Sequence, residues 1–298
     1  MGILKLLSKK SSTDKSLEPN PQLKIGSKVT LRLIYIFMTL FALIVLLPLV
    51  WLLFSSLKTQ ADLTTNTWGP PKVWMFSNFS KAWTGAKINI YLWNSILVTF
   101  MSIVITVVTV TPMSFVLARF KFKGKNIIYF IAISGMMIPI HSAIIPIYIM
   151  VGDWGMYNNL SVLSLIYGAF RIPISIFILE SFMTAIPKEL EECAFMDGCS
   201  VWKLFTRIIV PLSKDGIVTI SVLTVLACWN ELLVSMLLLN KPELKTLPIG
   251  LMGFITEFSS EYTQLAAGIM IAIIPSILFY IFAQEKIEKG MIAGAIKG

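Results

Sequence analysis

The chain has 298 residues, of which 56% are hydrophobic and only 14% charged, with a net charge of +9. A soluble domain carries roughly 25% charged residues, and the apolar residues here come in long runs of the kind that cross a hydrocarbon layer, which excludes an ordinary soluble enzyme. The positive residues sit between those runs and form no basic face, so nucleic acid is not an expected partner.

Residues 1–30 combine Lys9, Lys10 and Lys15 with Ser11, Ser12, Pro19 and Pro21, a composition that suits a disordered tail. The apolar run at 31–57 exceeds the hydrophobic core of a cleaved signal and reads as an uncleaved first span. Further spans are expected at 91–118, 126–150, 159–183, 215–239 and 264–284. Residues 31–298 thus read as one all-α integral membrane domain of six transmembrane helices.

Lysine and arginine in short loops mark the cytoplasmic side. Lys24, Lys28 and Arg32 precede the first span, and Arg119, Lys121, Lys123 and Lys125 lie between the second and third. Lys188, Lys203, Arg207 and Lys214 separate the fourth from the fifth, and Lys286 and Lys289 follow the last. Both termini of this multi-pass chain are therefore expected in the cytoplasm. The loop at 58–90 opposes that rule with Lys58, Lys72, Lys81 and Lys87. Trp51, Trp68, Trp74, Trp83 and Trp93 flank it, as aromatic residues do near a membrane interface.

Pro48, Pro112, Pro139, Pro146, Pro173 and Pro275 fall inside spans, where proline kinks a helix, either as ordinary bundle packing or around a cavity. Three ionisable residues lie within apolar runs: His141, Arg171 and Glu231. A charge in the bilayer core costs at least about 2.5–3.5 kcal/mol, so it faces protein or water. Arg171 and Glu231 are expected to pair, beside the translocation path or as a purely structural pair, with snorkelling of Arg171 toward the interface as the remaining reading. His141 is a packing or pore residue. Trp229 and Asn230 have the chemistry to stack on and hydrogen-bond a sugar, although a buried Trp also serves packing.

Cys193, Cys199 and Cys228 lack metal-site spacing, and no metal is expected. No GxxxxGK[ST] loop is present and no catalytic set is evident, so the chain is not expected to be an enzyme or to hydrolyse ATP.

The segment Ile186–Gly216 carries the mechanism. Pro187 suits a first helical turn, and Glu189, Glu191 and Glu192 follow at the positive end of the dipole. Asp197-Gly198 ends that helix, Ser200 caps a second, and Pro211 is expected to stop it. The run Glu192-Cys193-Ala194-Phe195-Met196-Asp197-Gly198, with Pro211 downstream, resembles the EAA motif of ABC importer permeases. Cys193 stands where that family usually has alanine.

The resemblance covers nearly all of the chain from Leu31 and is nearest to the carbohydrate (maltose-type, MalG-like) branch. Ser55-Ser56-Leu57-Lys58, Asn94-Ser95, Ile186-Pro187, Trp229-Asn230-Glu231, Lys245–Leu251 and Ala293–Gly298 carry it. It implies a permease of the bacterial inner (cytoplasmic) membrane that forms half of a sugar-importing pore, with a coupling helix between its fourth and fifth spans. The implied partners are a second, different permease, two ATPase subunits that bind ATP and magnesium, an extracellular solute-binding protein, the sugar and membrane lipid. This chain itself binds no cofactor in that scheme. Glu191, Glu192, Cys193, Ala194, Met196, Asp197, Gly198 and Pro211 are the implied ATPase-coupling residues. A permease for a non-sugar solute and an ATP-independent secondary transporter are the alternatives, and a membrane-embedded enzyme is disfavoured.

Overall fold

The computed structural model describes residues 28–256 and 261–295. The expected disordered tail falls outside them apart from its last three residues, as do Glu257 and the final three residues of the C-terminal motif. Two compact units divide at Trp51 and Leu52. The first contains helix α1 (Lys28–Ser56) as far as Trp51, and Pro48 sits inside that unbroken helix.

In chain order the helices that follow are α2 (Gln60–Thr65), α3 (Ser77–Ser80), α4 (Ile88–Arg119), α5 (Lys125–Ser134), α6 (Ile144–Asp153) and α7 (Leu160–Ala185). Then come α8 (Glu189–Met196), α9 (Val201–Leu204), α10 (Val210–Leu212), α11 (Lys214–Trp229), α12 (Leu233–Leu238), α13 (Leu247–Thr256) and α14 (Tyr262–Ala295). The described residues contain no strand, in keeping with an all-α chain.

Among the described residues, four helices are long and apolar enough to cross a membrane: Thr30–Ser56, Ile88–Arg119, Leu160–Ala185 and Tyr262–Ile281. Two bent pairs meet the same test together: Lys125–Met137 with Ile140–Asp153 at 87°, and Val201–Leu212 with Lys214–Trp229 at 68°. The run at 126–150, expected as a single helix, is therefore interrupted; the second pair bends at Ser213, ahead of the run at 215–239, which has a separate interruption between its two helices. In the first, Ile138 is extended (φ −93°, ψ 105°), as a residue before proline must tend to be, and the chain turns at Pro139. The second run stops at Trp229 and resumes at Leu233. Pro112, Pro173 and Pro275 stay inside continuous helices. Pro146 lies in the first turn of α6, where no N–H is required. Of the six prolines, only Pro139 marks a break.

The heart of the second unit is the seam between α4 and α7, which pack along most of their lengths. Small and hydroxyl residues let the backbones close in, as at many membrane helix pairs. Ser102 Oγ donates to Val98 O on its own helix and lies 3.1 Å from Ser164 O across the seam. A Cβ on Gly168 would come within 2.8 Å of Ile105 Cγ2, so glycine is required for that approach.

At one end of the bundle, loops are tied by side chain to backbone. Asn94 Nδ2 donates to the carbonyls of Glu243 (2.9 Å) and Lys245 (3.0 Å), and Ser95 Oγ accepts from Leu247 N at 2.8 Å. Two of the sequence fragments that carry the family resemblance thus bond to each other. Asn158, in the left-handed region at φ 56°, accepts from the amides of Asn240 and Lys241. In the 58–90 loop, Lys58 is fully buried. Its ammonium donates to the carbonyls of Asn66 and Thr67, and Asn78 Nδ2 clamps the carbonyls of Ser56 and Lys58. Lys58 is thus an internal structural cation and does not belong in the count of topology charges.

Candidate functional site

Both breaks lead to one place. A cavity of about 380 Å³ is lined by Ile140 and His141 from the first break, Tyr167 and Arg171 from α7, and Asn230 and Glu231 from the second. Irregular backbone at membrane depth is tolerated where it lines a cavity, and discontinuous helices mark binding sites in many transporters. Tyr167 and Arg171 are four residues apart and share one face of α7.

Glu231 is held by its neighbours. Its carboxylate accepts from Val234 N (2.9 Å) and Ser235 N (3.2 Å), so it caps the start of α12, and it also accepts from the Tyr167 hydroxyl. These bonds fix the chain where α11 ends. The expected Arg171–Glu231 pair is not formed. Both residues line the cavity, but no hydrogen bond or ion pair joins them; the carboxylate instead receives the tyrosine hydroxyl and two amides. Tyr167 is the site residue that the sequence reading passed over. Its signal was the four-residue spacing to Arg171 within an apolar span.

His141 is exposed and Arg171 half-buried. Asn230 lines this cavity and also a second one of about 330 Å³, formed with Trp229, Thr99, Phe100 and Pro275. Trp229 lines the second cavity and not the first, and it packs partly on the cluster around Ile88, Tyr91 and Ala267. The five residues expected near a pore therefore divide between two adjoining cavities. Cys228 is buried beside the first, Cys193 is exposed and Cys199 is intermediate; all three are free thiols. No group of three His, Cys, Asp or Glu side chains among the described residues is placed to hold a metal ion.

The segment after α7 forms the second element of the site. Pro187 lies two residues ahead of α8, outside the helix, and Lys188 takes the cap position. Asp197 and Gly198 end α8 as the residue types require. Gly198 has φ 75°, its N–H reaches Phe195 O at 3.0 Å, and Cys199 N reaches Ala194 O at 2.9 Å. This pair of bonds is the Schellman arrangement that satisfies the last carbonyls of a helix. Ser200 Oγ then accepts from Lys203 N at 3.4 Å.

Pro211 does not stop the second helix as expected. A π turn at Phe205–Ile209 precedes it, and helical backbone continues through Leu212 before the bend. The wide turn accommodates a residue that cannot donate to the carbonyl four positions back.

The two faces of this element differ. Ala194, Leu204 and Ile209 are buried against Phe115, Leu179 and Met183 from the long helices, and Phe205 packs on Phe115 with ring centroids 5.0 Å apart. Glu191 also turns inward, where the Arg119 Nε lies 2.7 Å from its Oε1, the two side chains being 5% and 13% exposed. Glu192, Cys193, Phe195, Met196 and Asp197 face outward, with Met196 80% exposed and Trp202 70% exposed beyond the bend. Of the expected coupling residues, then, Glu191 and Ala194 serve the chain's own packing. Glu192, Cys193, Met196 and Asp197 lie on an exposed face with an acidic edge and a large apolar centre, the pattern of a docking surface, and Gly198 and Pro211 are exposed further along the segment.

Comparison with known proteins places this geometry. The sequence profile described as "binding-protein-dependent transport system inner membrane component" matches residues 110–292. A putative ABC transporter permease protein of Caldicellulosiruptor sp. is 38% identical over 91% of this chain and 98% of its own length. The probable starch degradation products transport system permease protein of Thermoanaerobacterium thermosulfurigenes is 33% identical over 85% of this chain and 94% of its own. Among solved structures, a bacterial ABC transporter involved in the import of the polysaccharide alginate superposes with a TM-score of 0.77. It shares 23% identity, over 87% of this chain and 98% of that one.

Proposed function

The chain belongs to the family of binding-protein-dependent transport system inner membrane components and is an ABC transporter permease, and from that premise we propose that it forms half of a carbohydrate-importing pore driven by a partner ATPase. The scheme has six crossings with both termini in the cytoplasm, each interrupted run counting as one crossing. A second, different permease completes the pore, an extracellular binding protein delivers the sugar, and two ATPase subunits bind ATP and magnesium. Carbohydrate as cargo is supported by the starch-product relative and by the sequence fragments at 94–95, 229–231 and 245–251.

The observation that carries the proposal is the two-faced segment 189–212. Its inner face is built into the bundle core while its outer face presents Glu192, Cys193, Met196 and Asp197 to a partner. Motion imposed on that face is passed to α4, α7 and α11 because packed interiors transmit displacement and do not absorb it. The cavity around Tyr167, Arg171 and Glu231 lies along those same helices and is the proposed cargo path through this subunit.

Co-purification of the ATPase with the tagged permease tests this reading. Wild type is expected to retain the ATPase, and Glu192→Ala and Gly198→Val to lose it while remaining in the membrane. A wild-type permease that carries no ATPase and transports without ATP would overturn the proposal in favour of secondary transport.

A further inference from the structure

One side chain joins three elements at the end of the bundle that carries the docking surface. Arg119 is the last residue of α4. Its Nη2 donates to the carbonyl of Ile186, the residue that caps the end of α7, at 3.0 Å. Its Nε lies 2.7 Å from Glu191 Oε1 in the first turn of α8, and both side chains are almost wholly withdrawn from solvent. The contact is ionic and off the N–H axis, for neither atom has an in-line hydrogen-bond partner.

We propose that Arg119 is a positioning residue for energy coupling, which through Glu191 and the Ile186 carbonyl locks α8 to the ends of α4 and α7 so that displacement of the docking face reaches the cavity. This inference rests on the coupling role proposed above. The chain between α7 and α8 is only three residues long, Ile186, Pro187 and Lys188, and Ile186 is extended (φ −71°, ψ 128°). Without the guanidinium this linker is a hinge at which α8 would turn on its own. With it, α8 moves with α7, which carries Tyr167 and Arg171 into the cavity. Ala194 backs the same face with apolar contacts, but these are not directional. The ion pair and the carbonyl bond set the angle. Nothing else about Glu191 suits it to touch a partner, since its neighbour Glu192 takes the exposed position.

The experiment uses the whole complex in lipid nanodiscs, with Ile140→Cys as a reporter on the cavity wall. No native cysteine lies between Lys125 and Arg171, so N-ethylmaleimide adducts there are read on a separate peptide by mass spectrometry. Labelling is compared without nucleotide and after trapping with ATP and vanadate. The reporter complex is expected to change its rate several-fold on trapping. Arg119→Gln and Glu191→Gln are expected to keep the ATPase bound and hydrolysing while the ratio falls towards one, with Arg119→Lys intermediate.

A single neutralisation leaves a buried charge and can unfold the segment, so the double variant Arg119→Gln with Glu191→Gln is the deciding sample. It is expected to be as uncoupled as either single variant. A double variant that keeps the full trapping response, or variants that lose response only because the ATPase has dissociated, would overturn the positioning role. A reporter complex that binds ATPase but shows no trapping response would overturn the coupling reading itself, and this inference with it.

Discussion

Glu231 illustrates how a charge survives in an apolar span without a countercharge. Its oxygens receive two amides and a tyrosine hydroxyl, and bonds to a charged acceptor are stronger than neutral ones. Tyr167→Phe and Glu231→Gln should therefore couple, with an interaction energy of about 0.5–3 kcal/mol in a double-mutant cycle read by thermal unfolding in detergent. The same cycle with Arg171→Gln in place of Tyr167→Phe should give a smaller value, and an equal one would restore the pairing expected from sequence. Lys58 makes the opposite case, a cation satisfied by carbonyls. Lys58→Met should cost about 1–3 kcal/mol by leaving the Asn66 and Thr67 carbonyls unsatisfied in a closed site, as a drop in melting temperature of the purified protein. Neither arrangement was legible in the sequence. Residue type reports that a charge is present, whereas its partners here are mostly backbone groups that carry no sequence signature.

Among the elements, what sequence reveals depends on whether the determinant is local. The end of α8 was legible because Asp197-Gly198 dictates its own geometry, and the long helices were legible because their length is written in apolar residues. The break at Pro139 was visible only as one proline among six, all with the same local chemistry. Pro112, Pro173 and Pro275 are absorbed within continuous helices, an outcome that residue type alone does not signal. Pro211 was misjudged for a related reason, since the π turn that accommodates it is a property of the backbone upstream. Close approaches between elements are equally silent in sequence. A Cβ on Gly250 would lie 2.0 Å from Tyr91 Cδ2, so α13 can sit on α4 only with glycine there. Gly250→Ala is expected to destabilise by about 1–3 kcal/mol through overpacking, and Tyr91→Ala in the same chain should recover part of the loss. An unchanged melting temperature for Gly250→Ala would show that α13 shifts freely.

For the molecule as a whole, the proposed orientation places Cys193 and Trp154 on opposite sides of the membrane. A membrane-impermeant maleimide should label Cys193 only in inverted vesicles and an introduced Trp154→Cys only in right-side-out ones. Labelling of both from one side would require a different number of crossings. The proposed orientation rests on charge placement, and with Lys58 removed from the tally Lys72, Lys81 and Lys87 remain spread along the 58–90 loop. What could not be read was the division of labour within the EAA-like segment. Residues adjacent in a motif point to opposite sides of a helix, and only the packing of α8 on Phe115, Leu179 and Met183 decides that Ala194 faces in and Cys193 out.

The buried lysine has a further bearing on how the chain is made. Its two carbonyl acceptors lie eight and nine residues downstream, so they leave the ribosome directly after it. In the proposed orientation, an ammonium group travelling through the insertion machinery toward the far side of the membrane thus brings its own solvation shell in the next stretch of nascent chain. The charge is quenched locally, by acceptors just beyond the short helix α2 and before any later long helix has been synthesised, so the first crossing need not wait for the rest of the protein to be oriented.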